Sequence, residues 1–108
     1  MAKNTTEARS EALFEAILQL KDAEECKNFF EDLCSPTELK SMEQRFEVAV
    51  CLMQDMVYTE VQKRTGTSTA TVSRVKRNIL ENSNASAMKD VIARCGFVNR
   101  KFFPPEGE

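Results

Sequence analysis

The run from Tyr58 to Leu80, YTEVQKRTGTSTATVSRVKRNIL, admits few folds. Gly66 divides it into two short stretches of helical character. Glycine takes the left-handed backbone without steric cost, so it suits the residue just past a helix end. The first stretch opens at Thr59, with Gln62 three residues on as a capping partner, and ends near Arg64 or Thr65. The second has Thr67 or Ser68 as its cap. Its Val72, Val75 and Ile79 recur at steps of three and four, one face of a helix. The spacing predicts two helices joined by a tight turn over about residues 59–80. Gln62 stands where many helix-turn-helix proteins carry alanine, which leaves the packing angle of the pair open.

The rest of the chain reads as helix as well, and no run of alternating β-branched residues suggests a strand. Asn4 with Glu7 can form a capping box ahead of Ala12, Leu13, Phe14, Ile17 and Leu20. Asp22 with Glu25 starts a second helix, whose apolar face is Ala23, Cys26, Phe29, Phe30 and Leu33. Ser35-Pro36-Thr37-Glu38 is the strongest start signal. Ser35 can cap, proline suits the first helical position, and Glu38 can reach back. The third helix is expected to run to about Gln54, with Leu39, Met42, Phe46, Ala49, Val50 and Met53 facing inward. The polar run Glu81 to Asn84 ends the fifth helix, and a sixth spans Ala85 to Arg94, stopped by Gly96. The tail, residues 97–108, carries Phe97, Val98, Phe102 and Phe103. Packing on the body, packing on a partner and disorder all remain open for it.

With 108 residues the chain is sized for one all-α domain, residues 1–108. So small a domain buries only about 60–70% of its unfolded surface, and self-association would supply more. Four cysteines (Cys26, Cys34, Cys51, Cys95) without CxxC spacing, and no histidine, argue against a zinc site. Each cysteine sits beside apolar residues and reads as a small buried hydrophobe. No signal peptide and no apolar run of about 18 residues is visible, so a reduced cytoplasmic setting is expected and no membrane partner. Nothing resembles a catalytic constellation or a phosphate loop, so an enzyme is not expected.

The net charge of −2 seems wrong for a nucleic-acid binder, but its distribution reverses the inference. Residues 1–57 hold six Lys and Arg against twelve Asp and Glu. Residues 58–80 hold Lys63, Arg64, Arg74, Lys76 and Arg77 against Glu60 alone. An acidic body with a basic segment can still bind a phosphate backbone, because the local field governs. The leading half of the second helix is a row of short side chains: Thr67, Ser68, Thr69, Ala70 and Thr71. Their hydroxyls can meet base edges in a major groove, and their methyls can touch thymine. Ser73, Arg74, Lys76 and Arg77 follow on adjoining stripes, and Lys63 and Arg64 close the preceding helix within reach of phosphates. Each part has an ordinary alternative. The hydroxyl run could be only a cap and turn, and the cations could be a solvated face. Their combination points to double-stranded DNA as the partner.

The residues Leu33-Cys34-Ser35-Pro36-Thr37-Glu38, Gln44-Arg45-Phe46 and, above all, Thr65-Gly66-Thr67-Ser68-Thr69-Ala70-Thr71-Val72-Ser73-Arg74-Val75 resemble the Trp-repressor family, most closely its YerC/YecD-type bacterial branch. The resemblance covers roughly Ala12 to Leu80. It implies an all-helical fold, an intertwined homodimer, and two recognition helices set for successive major grooves about 34–36 Å apart. It also implies an effector site. In the Trp repressor two arginines and a hydroxyl help hold L-tryptophan, and Arg45, Arg74 and Ser35 match them here. Val75 fills a position that is small in the tryptophan-binding protein. Tryptophan is therefore not expected, although another small corepressor remains open; no other cofactor is expected. The resulting expectation is a homodimeric, sequence-specific transcriptional regulator that represses by occlusion. The competing reading is a helical dimer that docks a protein partner through its acidic N-terminal half.

Overall fold

The computed structural model describes residues 5–82 and 87–97. Six α-helices follow one another: α1 (Thr5–Leu18), α2 (Ala23–Leu33), α3 (Pro36–Met53), α4 (Tyr58–Thr65), α5 (Thr69–Val75) and α6 (Ala87–Cys95). A π-helical turn, Lys76–Leu80, continues α5 without a break. There is no strand among the described residues, and the chain is all-α. Its contacts divide it into two units, Met1–Leu39 and Lys40–Glu108.

In the first unit, local capping sets the helix boundaries. The Asp22 carboxylate accepts the Glu25 N–H at 2.8 Å, and Glu25 accepts the Lys21 N–H at 3.1 Å. At the start of α3, Glu38 accepts the Ser35 N–H at 2.8 Å, while the Ser35 hydroxyl oxygen accepts the Glu38 N–H at 3.1 Å. These bonds favour the ionised carboxylate, first through the Ser35 backbone and then through its hydroxyl, and hold Glu38 below the usual carboxylate range. Both boxes lie where the sequence places them. The Asn4 cap lies outside the described residues.

The inward faces read for α1 and α2 are not buried within the chain. Ala12, Leu13, Phe14, Ala23 and Leu33 are exposed, and Ile17, Leu20, Cys26, Phe29 and Phe30 are half-buried. The Phe29 and Phe30 rings meet edge to face at 5.4 Å.

The core lies in the second unit. Val48, Ala49, Val50 and Cys51 on α3 are buried, with Val61 of α4, Val72 and Val75 of α5, and Ile92 of α6. The single inward face expected for α3 is thus incomplete. Four consecutive buried residues cover every side of that helix, because α4, α5 and α6 contribute to the same cluster. Met42 is exposed, and Leu39, Phe46 and Met53 are half-buried. Phe97 sets its ring edge-on to Phe46 at 6.0 Å, and its carbonyl accepts a bond from the Gln54 amide. The tail beyond it, residues 98–108, lies outside the described residues.

The cysteine expectation needs correction. Cys51 is buried, Cys26 and Cys34 are half-buried, and Cys95 is exposed. Cys95 ends α6 between Arg94 and Gly96, which offer it no apolar cover. Burial pushes the Cys51 thiol up to about 11, with the Arg64 charge opposing, so it stays protonated at neutral pH.

Helix ends follow backbone chemistry. Asp55 (φ 60) closes α3 in the left-handed region. The Met56 N–H reaches the Cys51 carbonyl at 3.2 Å and the Asp55 N–H reaches the Leu52 carbonyl at 3.1 Å, a Schellman arrangement. Helix α4 begins one residue before the expected Thr59. Val57 precedes it with no side-chain cap bond, and Gln62 is not spent on that cap. Helix α6 starts at Ala87, and Gly96 (φ 77) ends it as expected. Positions 85 and 86 of the expected helix lie outside the described residues.

Candidate nucleic-acid interface

The pair α4–α5 begins with its turn. Gly66 sits at φ 70, and its N–H bonds the Gln62 carbonyl at 2.9 Å, closing α4. The Ser68 oxygen then accepts the Thr71 N–H at 3.2 Å and caps α5. Of the two candidate caps, Ser68 takes the role. Val61 anchors α4 in the core, and Val72 and Val75 anchor α5. Ile79, half-buried, packs against the same cluster. The expected inward triplet is therefore in place, although its last member lies in the π-helical turn. There the Glu81 N–H bonds the Lys76 carbonyl five residues back, at 2.8 Å.

With that face fixed, the opposite side of α5 is exposed. Ser68, Thr69, Ala70, Arg74, Lys76 and Arg77 are exposed, as is Lys63 at the end of α4. Ser73 is half-buried. The Lys76 ammonium lies 5.6 Å from the centre of the Tyr58 ring, a cation–π contact that ties the π-helical turn to the first turn of α4. Arg64 is placed differently from the other cations. It is half-buried and ion-paired with Glu60 at 2.7 Å, one helical turn back.

The hydroxyls also separate into two groups. Thr67 and Thr71 are half-buried and turn inward. The Thr65 hydroxyl donates to the Val61 carbonyl at 2.7 Å and lies 2.8 Å from the Thr67 hydroxyl. A hydroxyl has one proton, so Thr67 is the donor in that pair. Thr71 lies 3.2 Å from Ser68, oxygen to oxygen. Thr69 instead faces outward, and the Gln62 amide nitrogen donates to its oxygen at 3.0 Å.

Beside the pair lies an open cleft of about 490 Å³. Its walls include Gln44, Arg45, Thr71, Arg74, Val75 and Asn78, so two arginines line one cavity. The volume falls in the range of small-molecule sites. Of the three effector residues implied by resemblance, Arg45 and Arg74 line this cleft. Ser35 is not among its lining residues, and its hydroxyl oxygen accepts the Glu38 N–H at the α3 cap. Ser41 supplies a hydroxyl to the lining.

Gln62 and Gln44 are the groups whose roles sequence reasoning missed. Gln44 donates to the Thr65 carbonyl at 3.2 Å and so ties α3 to the end of α4. Both bonds are tertiary. The only signal in the sequence was a glutamine, Gln62, at a position usually held by a small residue.

The family model for Trp repressor protein matches residues 8–95. The chain is 49% identical to YerC of Bacillus subtilis over 76 residues, which is 70% of this chain and 73% of that protein. It is similar to the crystal structure of a TrpR-like protein from Eubacterium eligens, with a TM-score of 0.73 and 44% identity, covering 80% of this chain and 87% of that one. It is also similar to a candidate Trp repressor from Staphylococcus aureus, with a TM-score of 0.78 and 38% identity, covering 88% and 97%. A match across most of the chain, joined to 49% identity with YerC, places this chain in the Trp-repressor family, in its YerC-type branch.

Proposed function

We propose that the chain is a sequence-specific DNA-binding transcriptional regulator of the cytoplasm that acts as a homodimer and represses by occlusion. One observation carries the reading: α5 turns its valines into the core and leaves Ser68, Thr69, Ala70, Arg74 and Arg77 on an open face. Short polar side chains ahead of cations are what a groove-bound helix needs. Ser68, Thr69 and Ala70 are the base-facing set, with Thr67 and Thr71 behind them. Lys63, Lys76 and Arg77 hold phosphates, and Ser73 and Arg74 stand between the two roles. Arg64 contributes less, since Glu60 already neutralises it.

Selection from a random duplex pool tests the proposal. An enriched motif is the expected outcome. Lys76→Ala should weaken binding to all sequences alike, whereas Thr69→Ala should change the motif. No enrichment, and no shift of genomic fragments at physiological salt, would favour a protein-docking module instead.

A second reading adds to the first. Arg45 and Arg74 in one cleft favour a small anionic corepressor. Val75, almost fully buried, forms part of the wall and narrows the room for an indole. Calorimetric titration of amino acids into the wild type and into Arg45→Ala tests it, since binding should vanish with the arginine.

A further inference from the structure

The bond from Gln62 to Thr69 crosses the turn from α4 to the first residue of α5. A threonine hydroxyl has one proton to give and two lone pairs to offer. Gln62 occupies a lone pair from the protein side, so the proton of Thr69 is left to point outward. Thr67 is committed otherwise: it gives its proton to Thr65. Hydroxyls that look interchangeable in the sequence therefore carry different polarities.

We propose that Gln62 is a specificity-determining positioning residue, which holds Thr69 as a hydrogen-bond donor toward one base. The inference rests on the base-reading role proposed above. A fixed donor selects an acceptor in the major groove, such as guanine N7 or O6, adenine N7 or thymine O4, and opposes the amino group of cytosine. Gln62 need not touch DNA for this. It acts through the rotamer of a hydroxyl that does.

The test compares five proteins in selection from a random duplex pool: wild type, Gln62→Glu, Gln62→Leu, Thr69→Val and the double variant Gln62→Leu/Thr69→Val. Wild type should disfavour cytosine at one position by roughly two- to ten-fold, the worth of one hydrogen bond. In Gln62→Glu the carboxylate only accepts, so Thr69 turns its proton inward and presents lone pairs. Preference at that position should then move toward bases offering an amino group. The added negative charge lowers affinity for every sequence and cancels in the ratio. Gln62→Leu and Thr69→Val should each flatten the position, and Gln62→Leu should add nothing in the Thr69→Val background. If Thr69→Val flattens the position but Gln62→Glu leaves it unchanged, the inference is overturned while the regulator reading stands. If wild type enriches no motif, the base-reading role fails and takes the inference with it. The bond itself is read without DNA: Thr69→Val should move the side-chain amide resonances of Gln62, and unmoved resonances would also overturn the inference.

Discussion

Glu47 lies on α3 beside the buried run Val48–Cys51, one turn after Glu43. Burial, and then repulsion from Glu43, push its carboxyl above the usual range. An acid raised in the folded state binds its proton more tightly there than in the unfolded chain. Its contribution to stability is full below the ordinary carboxylate range and is lost as pH rises through the raised value. Glu47→Gln should therefore stabilise the protein at neutral pH. The gain should be about 0.2–0.5 kcal/mol, the worth of a like-charged pair one turn apart, and it should shrink in acid. Urea denaturation at neutral and acidic pH, at one protein concentration, measures it. An equal gain at both would assign the effect to packing. At this scale the sequence was legible wherever a residue acts on near neighbours. The Asp22–Glu25 and Ser35–Glu38 boxes are set within four residues of chain. Glu47 and Cys95 were not legible, because burial depends on what other helices cover.

Periodicity and punctuation specify the helices almost entirely, and the departures have physical causes. Helix α4 starts one residue before Thr59: Thr59–Gln62 has the spacing of a capping box, but Gln62 bonds Thr69 instead. The π-helical turn was hidden because Val72, Val75 and Ile79 fit an α-helical face equally well. The turn between α4 and α5, by contrast, was fixed by one residue. A Cβ on Gly66 would meet the Gln44 amide nitrogen at 3.9 Å, an ordinary contact, so space is not the constraint. The constraint is the backbone at φ 70. Gly66→Ala should cost about 1–2 kcal/mol in chemical denaturation through left-handed strain, and Gly66→Asn should cost less, since asparagine tolerates that region. Equal losses in the two would point to the Gln44 contact instead.

At the scale of the molecule, residues 7–39 contain no buried side chain, although they carry Phe14 (59% exposed), Leu18 (81%) and Leu33 (54%). Two helices with apolar residues left in water gain little by folding alone. Their composition was legible in the sequence as core, but the surface that would make it core is not found within this unit. A second copy of the chain is the occupant the proposed function requires, and its consequences for mass and for salt are linked. The wild type should sediment as a dimer, and Phe14→Glu should sediment as a monomer, with circular dichroism showing whether α3 to α6 survive. If the dimer neutralises about six to eight phosphates through two copies of Lys63, Lys76, Arg77 and their neighbours, the logarithm of its affinity should fall with the logarithm of salt at a slope of roughly −5 to −7. The monomeric variant engages half as many phosphates, so its slope should be about half. A dimer with the monomer's slope would mean that only one recognition helix reaches DNA at a time, and the pairing of helices across successive grooves would then be wrong.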